Sequence, residues 1–276
     1  MHALRAPVIV DCHCHAGTGD GLTGPWDTRA SLDRYRVRAA RAGIARTVIF
    51  AAFSSDYAAA NREVASIVAR WPDRYYGFAF VHAARDRGAV ANIVSTAVRE
   101  HGFVGVKVHR HDARITREVC EVARAHRVPV LYDVAGEVEQ VELLAEEYPD
   151  VDFIIPHLGS FGDEWRAQLA LIDHVRRHPN VYTDTSGVRR FDLLQQCVRR
   201  AGARKVLFGT DGPWLHPAVE LAKIDALGLR PEDRALIVGG NVLRLLARAR
   251  RDAPLSPHSP ASPSRPGGAV LPALRS

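Results

Sequence analysis

The sequence lacks any apolar run of the roughly 18 residues that a membrane-spanning helix needs, and it contains only four cysteines. A membrane protein is therefore not expected. The stretch before the first predicted strand has no apolar segment of signal-peptide length. Four scattered cysteines are too few for a disulfide framework. Together these absences favour a protein of the reducing cytoplasm.

Lysine is also scarce. Lys107, Lys205 and Lys223 are the only lysines, so arginine carries almost all of the positive charge behind the formal net charge of +6. A nucleic-acid surface needs a concentrated basic stripe with interleaved aromatic side chains. The arginines instead lie in helix-like stretches, mixed with acidic residues. We expect a solvated helical exterior, no nucleic-acid partner and a small-molecule substrate.

The glycine pattern of a dinucleotide-binding fold is missing as well. Gly17, Gly19 and Gly21 follow the first predicted strand, but their spacing does not fit Gly-x-Gly-x-x-Gly. We interpret this segment as an active-site loop.

The sequence does contain a regular alternation of short apolar runs and helical stretches. This pattern predicts βαβ units, and eight units in about 220 residues favour an α/β fold of the closed (β/α)₈ TIM-like barrel type. Strands are predicted over Val8–His13, Arg46–Ala52, Tyr75–Val81, Gly105–His109, Pro129–Asp133, Phe153–His157, Val181–Thr185 and Val206–Gly209. Helices are predicted over Arg29–Ala42, Tyr57–Trp71, Arg87–Glu100, Arg117–His126, Glu137–Glu147, Glu164–Arg177, Phe191–Ala201 and Pro217–Ala226.

The domain organisation follows from the same pattern. Residues 1–251 form one barrel domain, closed by a helical pair after the eighth strand. Residues 252–276 are rich in proline, serine, glycine and alanine, and this composition predicts a disordered tail.

The first predicted strand carries two histidines at alternate positions. Side chains alternate between the faces of a strand, so Asp11, His13 and His15 are expected on one face, with Cys12 and Cys14 on the other. His13 and His15 would then lie about 6.6 Å apart, close enough to bind one metal ion. Alone, such a pair is more often two ordinary histidines at a strand end.

Polar residues also stand at the ends of four other predicted strands. In a barrel the carboxyl ends of the strands meet at one face, where the active site lies. Each residue has an ordinary explanation, such as an ion pair between Lys107 and Asp133, but packing does not explain all of them together. We therefore expect a metal or catalytic site at this face. The polar residues are Lys107, His109, Arg110, Asp133, His157 and Asp211.

These motifs resemble the amidohydrolase superfamily, and within it the branch called amidohydrolase-related or amidohydrolase 2. The resemblance covers most of residues 8–247. It implies a distorted barrel with a divalent metal, usually zinc, held by His13, His15 and Asp211. Known members hydrolyse C–N and C–O bonds or catalyse non-oxidative decarboxylation. The motifs are Asp11-Cys12-His13-Cys14-His15, Gly105-Val106-Lys107-Val108-His109, His157-Leu158-Gly159, Gly209-Thr210-Asp211-Gly212-Pro213-Trp214 and Gly240-Asn241.

The fifth strand departs from the family pattern. Where the family has a metal-binding histidine, this chain has Asp133. A carboxylate can bind Zn²⁺, and the harder ion Mn²⁺ becomes an alternative. Asp133 is expected to bind the metal, unless it faces Lys107 instead. His157 is then either a further ligand or a base beside the metal.

The expected activity is that of a metal-dependent hydrolase of an ester, lactone or amide. A metal-activated water would attack the carbonyl while Asp211 or His157 takes its proton, with Lys107 in a supporting catalytic role. His109, Arg110 or Lys107 would bind an anionic substrate group, and Trp214 and Phe161 would form pocket walls.

Two other interpretations stay open. The same metal could bind a carboxylate and a neighbouring hydroxyl or ketone, which would make the protein a non-oxidative decarboxylase. Without the fifth-strand histidine, the barrel could also be a catalytically inactive ligand-binding protein. Dimers are common in families of this kind, so a homodimer is a further alternative.

Overall fold

The computed structural model describes residues 7–22 and 29–250, without the side chain of Arg250. The tail predicted over residues 252–276 lies outside the described residues. Within the described part, strands and helices alternate along the chain. The strands are β1 (Ile9–Thr18), β2 (Arg29–Ala30), β3 (Ile44–Ala51), β4 (Tyr75–Gly77), β5 (Ala79–Phe80), β6 (Val106–His109), β7 (Val130–Asp133), β8 (Phe153–Ile155), β9 (Val181–Asp184) and β10 (Val206–Leu207).

The helices lie between these strands and after the last of them. Several begin at a side-chain cap: Ser31 accepts a hydrogen bond from the N–H of Asp33, and Asp56 accepts one from the N–H of Ala59. Their buried residues lie on the side that packs on the strands. The helices are α1 (Leu32–Arg41), α2 (Tyr57–Arg70), α3 (Val90–His101), α4 (Arg117–His126), α5 (Gln140–Glu147), α6 (Trp165–Arg177), α7 (Phe191–Ala201), α8 (Pro217–Ala226), α9 (Pro231–Ala235) and α10 (Asn241–Arg250).

The strands form two parallel runs, in the orders β1-β3-β4 and β5-β6-β7-β8-β9-β10, and short β2 pairs antiparallel with the end of β1. Phe78 alone separates β4 from β5. The Phe78 N–H donates to Ile49 O of β3 at 2.9 Å, and the next N–H, of Ala79, donates to Gly105 O at 2.9 Å. One continuous stretch therefore joins the two runs.

The opposite edges are joined as well. The Cys12 N–H donates to Phe208 O at 2.9 Å, and the His15 N–H donates to Gly212 O at 2.6 Å. These bonds bring the residues after β10 alongside β1 and close the ring. Counting β4 and β5 as one position, the ring has eight parallel positions, and the predicted (β/α)₈ barrel is confirmed.

The core lies between the ring and the helices. In β6, the side chains of Val106 and Val108 are wholly buried, and so is Lys107 between them. Asn241, at the start of the closing helix α10, donates to Ala203 O and Val206 O and so fixes that helix beside β10. Among the described residues, no helix has the length and apolar character needed to cross a membrane.

The glycine before β6 permits a close aromatic contact. A Cβ built on Gly105 would lie 2.4 Å from two ring atoms of Phe78, which is wholly buried. The ring cannot retreat without disturbing the point where β4 passes into β5. Gly105 is therefore required by packing.

We predict that Gly105→Ala lowers the free energy of unfolding by about 1–3 kcal/mol, the usual cost of overpacking a core. Urea unfolding followed by circular dichroism measures it. The control is Gly162→Ala, because the nearest atom to a Cβ there is the Ser160 hydroxyl, 3.7 Å away. Equal stability of the Gly105→Ala variant and the native protein would contradict this account.

Candidate metal centre

A β-bulge in β1 sets the direction of its side chains. The pairing with β3 aligns Asp11 with Thr47 and Cys14 with Ile49, so Cys12 and His13 together oppose one residue. Both side chains point into the barrel: the Sγ of Cys12 and the Nδ1 of His13 lie 3.9 and 2.8 Å from the same oxygen of Asp184. The strict alternation predicted for this strand is therefore wrong at Cys12.

The bulge also moves Asp11 away from the histidines. Its carboxylate accepts hydrogen bonds from the hydroxyl of Tyr35, on α1, and from the N–H and hydroxyl of Thr210. Asp11 thus links β1, the eighth strand position and α1. Burial raises its pKa to about 7, although these hydrogen bonds lower it.

A cavity of about 350 Å³ lies at the carboxyl ends of the strands. It brings together eight of the predicted site residues, drawn from five strand positions. Its lining residues include His13, His15, Phe53, His109, Asp133, His157, Asp211 and Trp214, with the exposed His111, Phe161 and Glu164 nearer the rim.

The three deepest imidazoles are oriented by partners on their Nδ1 atoms. His13 Nδ1 lies 2.8 Å from Asp184 Oδ2, His15 Nδ1 lies 3.0 Å from Ala51 O, and His157 Nδ1 lies 2.8 Å from Ser186 O. At His13 and His15, an acceptor at Nδ1 selects the tautomer whose Nε2 carries the lone pair. A hydrogen bond from the ring nitrogen that does not bind the metal is typical of metal-binding histidines.

The Nε2 atoms converge on Asp211. Its Oδ1 lies 3.4 Å from His13 Nε2 and 3.7 Å from His15 Nε2. Ligand atoms of His13, His157 and Asp211 all lie within 4.8 Å of one another. The buried Nε2 of His13 has no hydrogen-bond partner. These nitrogen and oxygen donors fit the divalent metal implied by the sequence resemblance.

Backbone conformation places two of these groups. Asp211 has a φ of 54°, and His157 has a φ of 58°. Both values lie in the left-handed region that side chains other than glycine rarely adopt, and such strain concentrates at functional sites. His157 also donates its backbone N–H to Asp184 at 3.1 Å, which holds the turn after β8 in place.

Asp133 lies in the cavity wall, between His109 and His157. Its Oδ2 is 3.1 Å from His109 Nε2 and 3.3 Å from His157 Nε2. Burial opposes the charge on Asp133, but the histidines hold its pKa well below the usual range. Burial likewise opposes a charge on His157, yet the hydrogen bond and charge of Asp133 raise the pKa of His157 to about 9. Asp133 therefore keeps His157 protonated at neutral pH.

Lys107 lies beneath the cavity and does not line it. Its Nζ is buried, has no hydrogen-bond partner and lies 4.9 Å from the Phe50 ring centroid. Burial lowers its pKa, and the charges of Asp133, Asp211 and Asp184 oppose that shift. The predicted pairing of Lys107 with Asp133 is thus an attraction without a hydrogen bond.

Arg110 is outside the cavity, contrary to its predicted role in substrate binding. It follows His109, which points inward at the end of β6, so its own side chain points outward. Its Nε donates to Glu137 Oε2 at 2.8 Å, and a second nitrogen lies 2.7 Å from the other oxygen of Glu137. Trp214 does line the cavity, with its ring centroid 4.7 Å from that of His15.

Two contributors were not anticipated from the sequence: Asp184 and Ser186. Ser186 donates its hydroxyl and its N–H to Asp184 Oδ1, at 2.6 and 3.0 Å. The polar run Thr183-Asp184-Thr185-Ser186 at the end of the seventh predicted strand was the signal that could have revealed them.

We predict that Asp184→Asn weakens metal binding by about 10–100-fold, as is usual when an outer partner of a metal-binding histidine is lost. Competition with a fluorescent chelator measures the affinity. Asp152→Asn is the matched control, because Asp152 is a buried carboxylate that pairs with Arg248 on the outer side. Unchanged affinity in Asp184→Asn would show that Asp184 does not act through His13.

Three solved structures are similar in fold to this chain. A 2,6-dihydroxybenzoate decarboxylase, complexed with 2,6-dihydroxybenzoate, has a TM-score of 0.67 and 18% identity, covering 87% of this chain and 99% of that one. The 5-carboxyvanillate decarboxylase from Sphingomonas paucimobilis has a TM-score of 0.69 and 12% identity. The match covers 88% of this chain and 99% of that one. The 5-carboxyvanillate decarboxylase from Novosphingobium aromaticivorans has a TM-score of 0.70 and 14% identity, and the match covers 87% of this chain and 96% of that one. That structure contains manganese and 4-hydroxy-3-methoxy-5-nitrobenzoic acid.

The family is shown by a match to most of the chain. No curated protein matches the sequence. A family model described as Amidohydrolase does match, over residues 10–248, which span the barrel from β1 to α10. The chain therefore belongs to the amidohydrolase family, and the resemblance found in its motifs is confirmed.

Proposed function

We propose that the protein is a metal-dependent, non-oxidative decarboxylase of a small hydroxylated aromatic acid. The observation that carries the proposal is the position of His157, whose Nε2 lies 3.3 Å from Asp133 Oδ2 and whose imidazole lies beside the donors His13 and Asp211. The decarboxylases of similar fold support it. They favour the decarboxylase alternative over the hydrolase that the sequence first suggested.

His13, His15 and Asp211 are the proposed metal ligands, with His157 close beside them. When bound, a divalent ion supplies positive charge that binds the substrate carboxylate and a neighbouring oxygen. Zinc suits the imidazole nitrogens, and manganese suits the carboxylate oxygen, so both ions fit the donors. Manganese is the ion present in a decarboxylase of similar fold.

The cavity suits a flat aromatic acid. Trp214 and Phe53 line it, and Phe161, with its ring centroid 5.1 Å from that of His157, stands at its rim. His109 lies on the same wall as His157 and adds a donor for a substrate oxygen. These side chains would hold a ring in the cavity with its carboxylate towards the proposed metal ligands and His157.

His157 is the proposed acid of the reaction. Its Nε2 proton would pass to the ring carbon that bears the carboxylate. The bond from that carbon to the carboxylate then breaks, its electron pair restores the ring, and CO₂ leaves. Asp133 stabilises the protonated form before the transfer. Lys107, beneath the cavity, adds positive charge that favours the anionic substrate.

We expect the metal-loaded protein to release one CO₂ for each aromatic product from dihydroxybenzoate-type acids. With a ¹³C-labelled carboxylate in H₂¹⁸O, the label should appear in CO₂, and the aromatic product should contain no ¹⁸O. Lactones and esters that carry the same aromatic ring are assayed for comparison. Hydrolysis of these esters with ¹⁸O uptake, and no CO₂ from the acids, would establish the hydrolase instead.

The pH dependence of kcat/KM tests the role of His157. Its acid form is present below the raised pKa of about 9 and is lost above it, so activity should fall as the pH rises through about 9. Asp133→Asn removes the charge that raises this pKa, and the alkaline limb should move down by about 1–3 pH units.

Glu137→Gln is the control for this profile, because Glu137 pairs with Arg110 outside the cavity. Its profile should match that of the native protein. An alkaline limb that stays in place in Asp133→Asn would exclude His157 as the acid.

A further inference from the structure

A second group of metal-binding side chains lies on the outside of the barrel, away from the cavity. Glu142 projects from α5, His174 lies in the last turn of α6, and His178 follows that helix directly. One ligand atom from each lies within 4.8 Å of the other two. Because α6 ends just before β9 begins, this group lies towards the amino ends of the strands, opposite the candidate metal centre.

The histidines of this group are unusual for a surface site. His174 is only 7% exposed, and the buried Nε2 of His178 has no hydrogen-bond partner. The two rings are stacked at 25°, with centroids 6.0 Å apart. A spacing of four residues brings them to one side of the helix end. An unsatisfied buried nitrogen beside a second histidine and a carboxylate calls for a ligand.

We propose that Glu142, His174 and His178 form a second metal site that binds Zn²⁺. Two imidazoles and one carboxylate form a three-ligand set that proteins use for zinc, with water at the fourth position. The bound ion would connect α5 to the end of α6. It would also supply a partner for His178 Nε2, which has none among the described residues.

Arg177 contacts two members of this group, Glu142 and His174. Its guanidinium donates to Glu142 Oε1 at 2.8 Å and contacts His174 Nδ1 at 3.2 Å. Its side chain is 44% exposed, so it can move into solvent when a cation takes its place. Zinc binding therefore replaces the single positive charge of the guanidinium with a divalent ion.

Equilibrium dialysis against micromolar Zn²⁺, followed by elemental analysis, tests the site in the full chain. The native protein should bind one equivalent beyond the cavity metal, and His178→Ala should lose that equivalent alone. Arg177→Gln removes the competing charge and should bind it about tenfold more tightly. His101→Ala is the matched control, since His101 ends α3 on the outer surface as His178 ends α6.

A second measurement guards against a variant that loses metal by misfolding. Micromolar Zn²⁺ should raise the melting temperature of the native protein and of His101→Ala more than that of His178→Ala. The proposal fails if the native protein binds no additional equivalent. It also fails if His178→Ala, with the circular dichroism spectrum of the native protein, keeps that equivalent.

Discussion

The carboxylate of Asp184 is the interaction on which the arrangement of the cavity depends. One oxygen lies 2.8 Å from His13 Nδ1, and the other accepts from the backbone N–H groups of His157 and Ser186. A single buried group thus ties the first, sixth and seventh strand positions together. Burial would raise its pKa, but the charge of His13 and these hydrogen bonds lower it, so Asp184 stays ionised.

Charge inside the barrel explains why a cation fits there. Asp133, Asp184 and Asp211 surround the cavity floor, while Lys107 is the one lysine among the described residues that is wholly buried. Its Nζ lacks a hydrogen-bond partner, so it offsets the carboxylates only through space. A divalent ion at His13 and Asp211 would supply positive charge where the imidazoles already present their lone pairs.

The barrel was predictable because short apolar runs and helical stretches alternate eight times, and parallel strands bring their carboxyl ends to one face. The positions of His13, His15, His157 and Asp211 followed from that rule. The bulge at Cys12 did not, because it depends on pairing with β3 and with the residues after β10. Asp184 was missed for a related reason: its contact with His13 spans 171 residues.

Asp133, at the end of the fifth predicted strand, stands where the family has a histidine. This difference bears on the proposed chemistry. A histidine there would add a neutral metal ligand, whereas Asp133 adds a negative charge 3.3 Å from His157 Nε2. That charge favours a protonated His157, which is a poor base for activating water but a suitable donor to a carbon atom. In the proposed decarboxylation, Asp133 therefore serves as the partner of the proposed acid, His157.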